Sequence, residues 1–196
     1  MAIMVAAVVV SASATSRTAV LVDGVLAAAR AAGATTESVN ISEVAIPVAD
    51  GRKAEEYEGE AARVLSLIDS SDAVVFGMPV YRAGMPGSLK NLLDIIPRGT
   101  YDGEAQALRS KPVVVAATGA TDHHFLALDT MAEVMRGFFA AYVIPPGVYA
   151  SHADFSDGRL TTPRIVECAE RSGRALVDMA AAVASSEPLR AVEPLV

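Results

Sequence analysis

The chain of 196 residues carries one cysteine, three histidines and no tryptophan. A single thiol, Cys168, excludes an internal disulfide and fits a reducing compartment such as the cytoplasm. His123, His124 and His152 form no ligand set of the usual metal-site spacing, which argues against a metal enzyme. Basic residues are few and scattered, and the net charge is −7. That balance argues against nucleic acid or an anionic membrane as partner, because both demand a basic face. Long apolar runs are lacking as well: the longest reach about nine residues, against the roughly 20 of a transmembrane helix. No Lys or Arg precedes the first of these, "AIMVAAVVV", so it reads as a buried strand rather than a secretion signal. No Ser-His-Asp spacing and no paired carboxylates mark a hydrolase, so no catalytic side chain is assigned. The Walker and dinucleotide glycine patterns are both missing.

What the chain does have is alternation. With 52% hydrophobic residues it is rich enough to bury a core, and its length suits one domain, taken as residues 1–183 with a frayed tail over 184–196. Strands are predicted at 3–10, 35–44, 72–80, 111–119 and, broken by prolines, 142–150. Helices are predicted at 18–32, 54–69, 86–97, 124–139 and 161–183, the last capped by Thr162 ahead of Pro163. Cys168 falls at core spacing with Ile165 and Ala169, and reads as packed rather than nucleophilic. Repeated strand–helix units imply a parallel α/β sheet with helices on both faces, a three-layer sandwich. Five such units fit the flavodoxin-like strand order 2-1-3-4-5, whose ligands sit outside the carboxyl ends of strands 1 and 3. A ligand should therefore meet residues near 11–18, 79–84 and 118–123.

Those three segments have the chemistry for it. "SASATSRT" (11–18) offers the hydroxyls of Ser11, Ser13, Ser16 and Thr18, the guanidinium of Arg17 and the N-terminus of a helix. Alone, that loop reads equally well as a phosphate cradle or as an ordinary Ser/Thr cap. "MPVYRAGMPG" (78–87) supplies Pro79, Val80, Tyr81 and Arg82 as an apolar wall and edge contacts for a planar ring. "TGATDHH" (118–124) adds Thr118 and Gly119, with backbone donors and a hydroxyl, followed by two histidines that either cap a helix or touch a ligand.

Together these stretches resemble the NAD(P)H-dependent FMN reductase family, and most closely its alkanesulfonate-type members. "PVYRAGMPGSLKNLLDIIP" is similar to that family's Pro-x-Tyr…Pro-Gly-x-Leu-Lys-Asn-x-Leu-Asp block nearly throughout. "KPVVVAATGATDHHFLALD" resembles its Lys-Pro…Ala-Thr-Gly-Gly-Thr…His…Leu-Ala-x-Asp stretch, with Ala120 at the second Gly. The first loop keeps the Ser-Arg-Thr end of Gly-Ser-Pro-Arg-x-x-Ser-x-Thr, while Val10, Ala12 and Ser13 stand at its Gly, Pro and Arg positions. The resemblance implies a flavodoxin-like fold binding FMN and NAD(P)H. Ser11, Ser13, Ser16, Arg17 and Thr18 would hold the phosphate, Pro79 to Arg82 would lie along the isoalloxazine, and Thr118 and Gly119 would sit near its edge.

The activity so implied is hydride transfer from nicotinamide to FMN, chemistry the cofactors carry while the protein stacks and orients them. Reduced FMN would pass to a flavin-dependent monooxygenase. The alternatives are an FMN-bound quinone, azo-dye or metal-ion reductase, or a non-enzymatic flavodoxin-like binding protein. A homo-oligomer, dimer or tetramer, is expected, with the apolar helix 125–139 as candidate interface or simply as a buried helix.

Overall fold

The computed structural model describes residues 2–11, 16–99 and 106–194. The elements run β1 (Met4–Val9), α1 (Arg17–Ala31), β2 (Thr35–Asn40), α2 (Gly59–Ser70), β3 (Ala73–Pro79), α3 (Gly87–Ile95) and β4 (Pro112–Gly119). They continue with α4 (Ala127–Phe139), β5 (Tyr142–Val143), β6 (Val148–Ser151), the short pair β7 (Phe155–Ser156) and β8 (Arg159–Leu160), then α5 (Pro163–Ser185) and α6 (Glu187–Arg190). The sheet order is β2-β1-β3-β4-β5, all parallel, with β6 also pairing β4. This is the expected flavodoxin-like sandwich. The broken fifth strand is two segments along one edge of β4, separated by a cis Pro145–Pro146 peptide bond.

Because β1 and β3 are buried on both faces, successive residues feed two different cores. Ala6, Val8, Val74 and Phe76 pack with α2, α3 and α4, whereas Val5, Ala7, Ala73 and Val75 pack with α1 and α5. Helix α1 is held between two positions where a side chain is missing. A Cβ at Gly77 of β3 would lie 2.3 Å from Val22 Cγ2, and one at Gly173 of α5 would lie 2.3 Å from the Val25 carbonyl oxygen and 2.8 Å from Ala28 Cβ. Glycine there lets α1 approach the sheet on one side and α5 on the other, which sets where its N-terminus emerges.

Several boundaries differ from the periodicity-based expectation. The segment predicted as one helix over 54–69 is a 3-10 turn at Ala54–Glu56, then α2 from Gly59. Tyr57 between them is extended and only 4% exposed, so its burial interrupts the helix. The start predicted at 124 also falls in a 3-10 turn, Asp122–Leu126, before α4 begins. The tail is not frayed over its described length. Tyr142 Oη donates to the Leu189 carbonyl at 3.0 Å, Ser110 Oγ to that of Arg190 at 3.0 Å and Arg109 Nε to that of Val192 at 2.8 Å. No helix among the described residues is long and apolar enough to cross a membrane.

Replacing Gly173 with Ala should force α1 and α5 apart and cost about 1–3 kcal/mol, the usual penalty for an overpacked contact. A urea unfolding midpoint equal to that of the parent would show that the helix pair absorbs the methyl group.

Candidate active site

A cleft of about 560 Å³ opens outside the carboxyl ends of β1, β3 and β4. Its first wall is Val10, Ser11, Ser16, Arg17 and Thr18; its second is Pro79, Val80 and Tyr81; its third is Thr118, Gly119 and Ala120. Of the residues singled out in the sequence, Ser11, Ser16, Arg17, Thr18, Pro79, Val80, Tyr81, Thr118 and Gly119 thus meet around one space. Ser13 lies outside the described residues. Arg82 is exposed on the turn beyond Tyr81 and is not part of the lining.

Each wall is held by bonds that cross between elements. Asn40, at the end of β2, grips the start of the first loop: its Oδ1 accepts from the Ser11 amide at 3.1 Å and its Nδ2 donates to the Ser11 carbonyl at 3.1 Å. This amide continues the β1–β2 ladder one step beyond the last backbone pair. Ser16 is the N-cap of α1, its Oγ accepting from the Ala19 amide at 3.1 Å. Two residues on, Thr18 Oγ1 lies 2.6 Å from Thr118 Oγ1, a buried hydroxyl pair that joins the first wall to the third. The Val80 amide donates to the Thr118 carbonyl at 2.7 Å, joining second to third.

The second wall ends in a tight turn. Tyr81 and Gly84 exchange both backbone hydrogen bonds at 3.0 Å, with Arg82 at φ 51° and Ala83 at φ 62° between them. Two consecutive non-glycine residues in the left-handed region are costly and persist where surrounding structure imposes them. The turn leaves Tyr81 54% exposed at the cleft mouth.

A fourth wall was not anticipated from the sequence: His152, Phe155, Asp157 and Gly158, from the β7–β8 hairpin and the turn before it. The Arg17 guanidinium sits over the Phe155 ring, 6.0 Å from its centroid. His152 follows Ser151, whose amide and Oγ donate to Asp154 Oδ2 at 2.7 and 3.0 Å. Burial opposes ionisation of Asp154, but these bonds and one from Thr162 outweigh it and hold the carboxyl below its ordinary range. The signal for this wall was the Asp157–Gly158 dipeptide, a hairpin turn pair between two short strands. His123 and His124 do not line the cleft. His123 borders a separate cavity of about 500 Å³ with Phe125, Tyr149 and Cys168, and His124 keeps a buried Nδ1 without a hydrogen-bond partner among the described residues. Burial raises the Tyr149 phenol above its usual value, helped by Asp122 and Asp154, so it stays a donor to the Thr121 carbonyl at 2.5 Å. Cys168 is half-buried, its Sγ 3.5 Å from the Gly147 carbonyl oxygen.

Chemically the cleft has one end rich in hydroxyls and a cation at a helix N-terminus, and another end of proline, valine and tyrosine. Such a donor set suits an anionic group joined to a flat apolar ring. Comparison with known proteins gives the same direction. Residues 3–156 match the family model for NADPH-dependent FMN reductase. An FMN reductase (NADPH) of Pseudomonas aeruginosa is 36% identical over 138 residues, 68% of this chain and 70% of that protein. The NADH-dependent FMN reductase SfnF of Pseudomonas fluorescens is 35% identical over the same shares. Among solved structures, the apo form of an NADH:FMN oxidoreductase superposes with a TM-score of 0.74 at 19% identity, covering 96% of this chain and 94% of that one, a likeness of fold.

Thr18→Val should leave the buried Thr118 hydroxyl without its partner and destabilise the protein by about 1–3 kcal/mol. Adding Thr118→Val should recover part of that loss. Thermal unfolding of the two single variants and the double variant measures the coupling, and strictly additive losses would mean the pair does not act as a unit.

Proposed function

Because this chain belongs to the NADPH-dependent FMN reductase family and is an NAD(P)H-dependent FMN reductase, we propose that the cleft at the strand ends is where it holds FMN, and that the flavin exchanges rather than staying bound. The observation that carries the reading is that the hydroxyl-rich and cationic start of α1, the apolar Pro79–Tyr81 wall and Thr118–Gly119 line one cleft. When bound, the flavin supplies the redox chemistry, accepting hydride from the nicotinamide. The chain supplies position. Arg17 and the hydroxyls of Ser11, Ser16 and Thr18 hold the phosphate at the start of α1, where the helix leaves amide donors without intrahelical acceptors. Ser13, from the same loop, is assigned to this group on the resemblance. Pro79, Val80 and Tyr81 give the ring a flat wall; Arg82, exposed on the turn beyond the lining, is given no contact with it. Thr118 and Gly119 present backbone groups to its polar edge.

The half-exposed Tyr81 and the open mouth support a flavin that enters and leaves, with reduced FMN delivered to a flavin-dependent monooxygenase. A homo-oligomer is consistent with the apolar side chains that α4 and the turn before it leave exposed: Phe125, Leu126 and Phe138 are 46–60% accessible. A reducing cytoplasm, where NAD(P)H is regenerated, suits a chain whose one cysteine is free.

Oxidation of NADH and NADPH by the purified protein should be slow alone and should saturate with added FMN. A yellow protein that needs a quinone instead would identify a resident-flavin reductase, and no oxidation under any of these conditions would contradict the enzymatic reading altogether. In a flavin titration, Arg17→Ala should weaken FMN by about 1.5 kcal/mol, the low end for a bond to a charged group because Arg17 is exposed. An unchanged dissociation constant would remove Arg17 from the phosphate site.

A further inference from the structure

The β7–β8 hairpin closes the cleft at the Arg17 end, and it does so with an acid. Among the described lining residues the formal charges are Arg17 and Asp157, so the cleft presents no net positive charge where its hydroxyls gather. The hairpin is not a loose flap. Phe155 and Leu160 pack against the core shared by α1 and α5, Thr161 donates its amide to the Asp154 carbonyl at 2.9 Å, and the Phe155 ring carries the Arg17 guanidinium. Asp157 and Gly158 occupy the turn with φ 50° and 73°, a left-handed pair that Asn-Gly satisfies as well as Asp-Gly. Turn geometry therefore asks for a short polar residue at 157 but not for a negative charge.

A phosphate monoester carries close to two negative charges at neutral pH. The carboxylate of Asp157, exposed and accepting from Ser156 Oγ at 3.4 Å, lines the same cleft and opposes it, and Arg17 is the counterweight. Resting on the assignment of this cleft to FMN, we propose that Asp157 is a specificity-determining residue: a negative charge in the lining that lowers affinity for the phosphate of the flavin and shortens its stay. It acts on FMN and not on riboflavin, which shares the ring and lacks the phosphate. The cleft thereby recognises the ring through its apolar wall while holding the anion weakly, which suits a flavin handed on after reduction.

The test is a fluorescence titration of the intact protein with FMN and with riboflavin, comparing the parent, Asp157→Asn and Arg17→Ala. Asp157→Asn keeps the turn chemistry and removes the charge. It should lower the FMN dissociation constant about three- to tenfold, an effect that shrinks in high salt, and leave riboflavin within about twofold. In turnover, the KM for FMN should fall without a rise in kcat. An unchanged FMN constant, or equal tightening of both flavins, overturns the role of Asp157. If Arg17→Ala weakens FMN selectively while Asp157→Asn does nothing, the cleft assignment stands and this inference alone fails. If the parent binds neither flavin, both fail together.

Discussion

The placement of α1 is the constraint on which the rest of the molecule depends. Gly77 on β3 and Gly173 on α5 remove the side chains that would hold this helix away from its neighbours, so it lies in close contact with both. Where the helix lies decides where its first turn emerges, and that turn carries Ser16, Arg17 and Thr18 into the cleft. A shift of an ångström there would break the 2.6 Å hydroxyl pair between Thr18 and Thr118 and separate the first wall from the third. Packing between two apolar cores thus sets the geometry of a polar site at their common edge.

The site itself is assembled from loops, and its described residues are tied across elements. Asn40 extends the β1–β2 ladder into Ser11, the Val80 amide extends the β3–β4 pairing, and Phe155 plugs the hairpin into the α1/α5 core. The open side is the mouth at Tyr81, beyond which the backbone folds over two left-handed residues. A floor tied across elements with an exposed aromatic at its rim suits the exchange of flavin proposed above. Electrostatics works in the same sense. On the proposed reading, Arg17, Asp157 and neutral hydroxyls would recognise the FMN phosphate without trapping it.

Much of this was legible in the chain. Five strand–helix alternations fitted the flavodoxin-like strand order, and the three cleft-lining loops followed from that order because parallel sheets bind at the ends of their strands. Nine of the residues named in those loops line the cleft. What escaped was of two kinds. Helix starts moved wherever a side chain found a better use than helical spacing, as with the buried Tyr57 ahead of α2. Residues remote in sequence stayed invisible: Asn40 meets Ser11 across 29 positions, and Tyr142 meets the backbone at Leu189 across 47.

By itself, then, the sequence determined the layered α/β architecture, the family and the three loops that line the cleft, because each is written in local periodicity or in a contiguous motif. Only the tertiary structure decided that a fourth wall exists and that it brings Asp157 into the cleft that Arg17 lines. Those outcomes depend on how a hairpin packs against a helix more than a hundred residues earlier in the chain. Contacts of that kind arise from shape and burial between distant segments, for which a linear pattern holds no local signal.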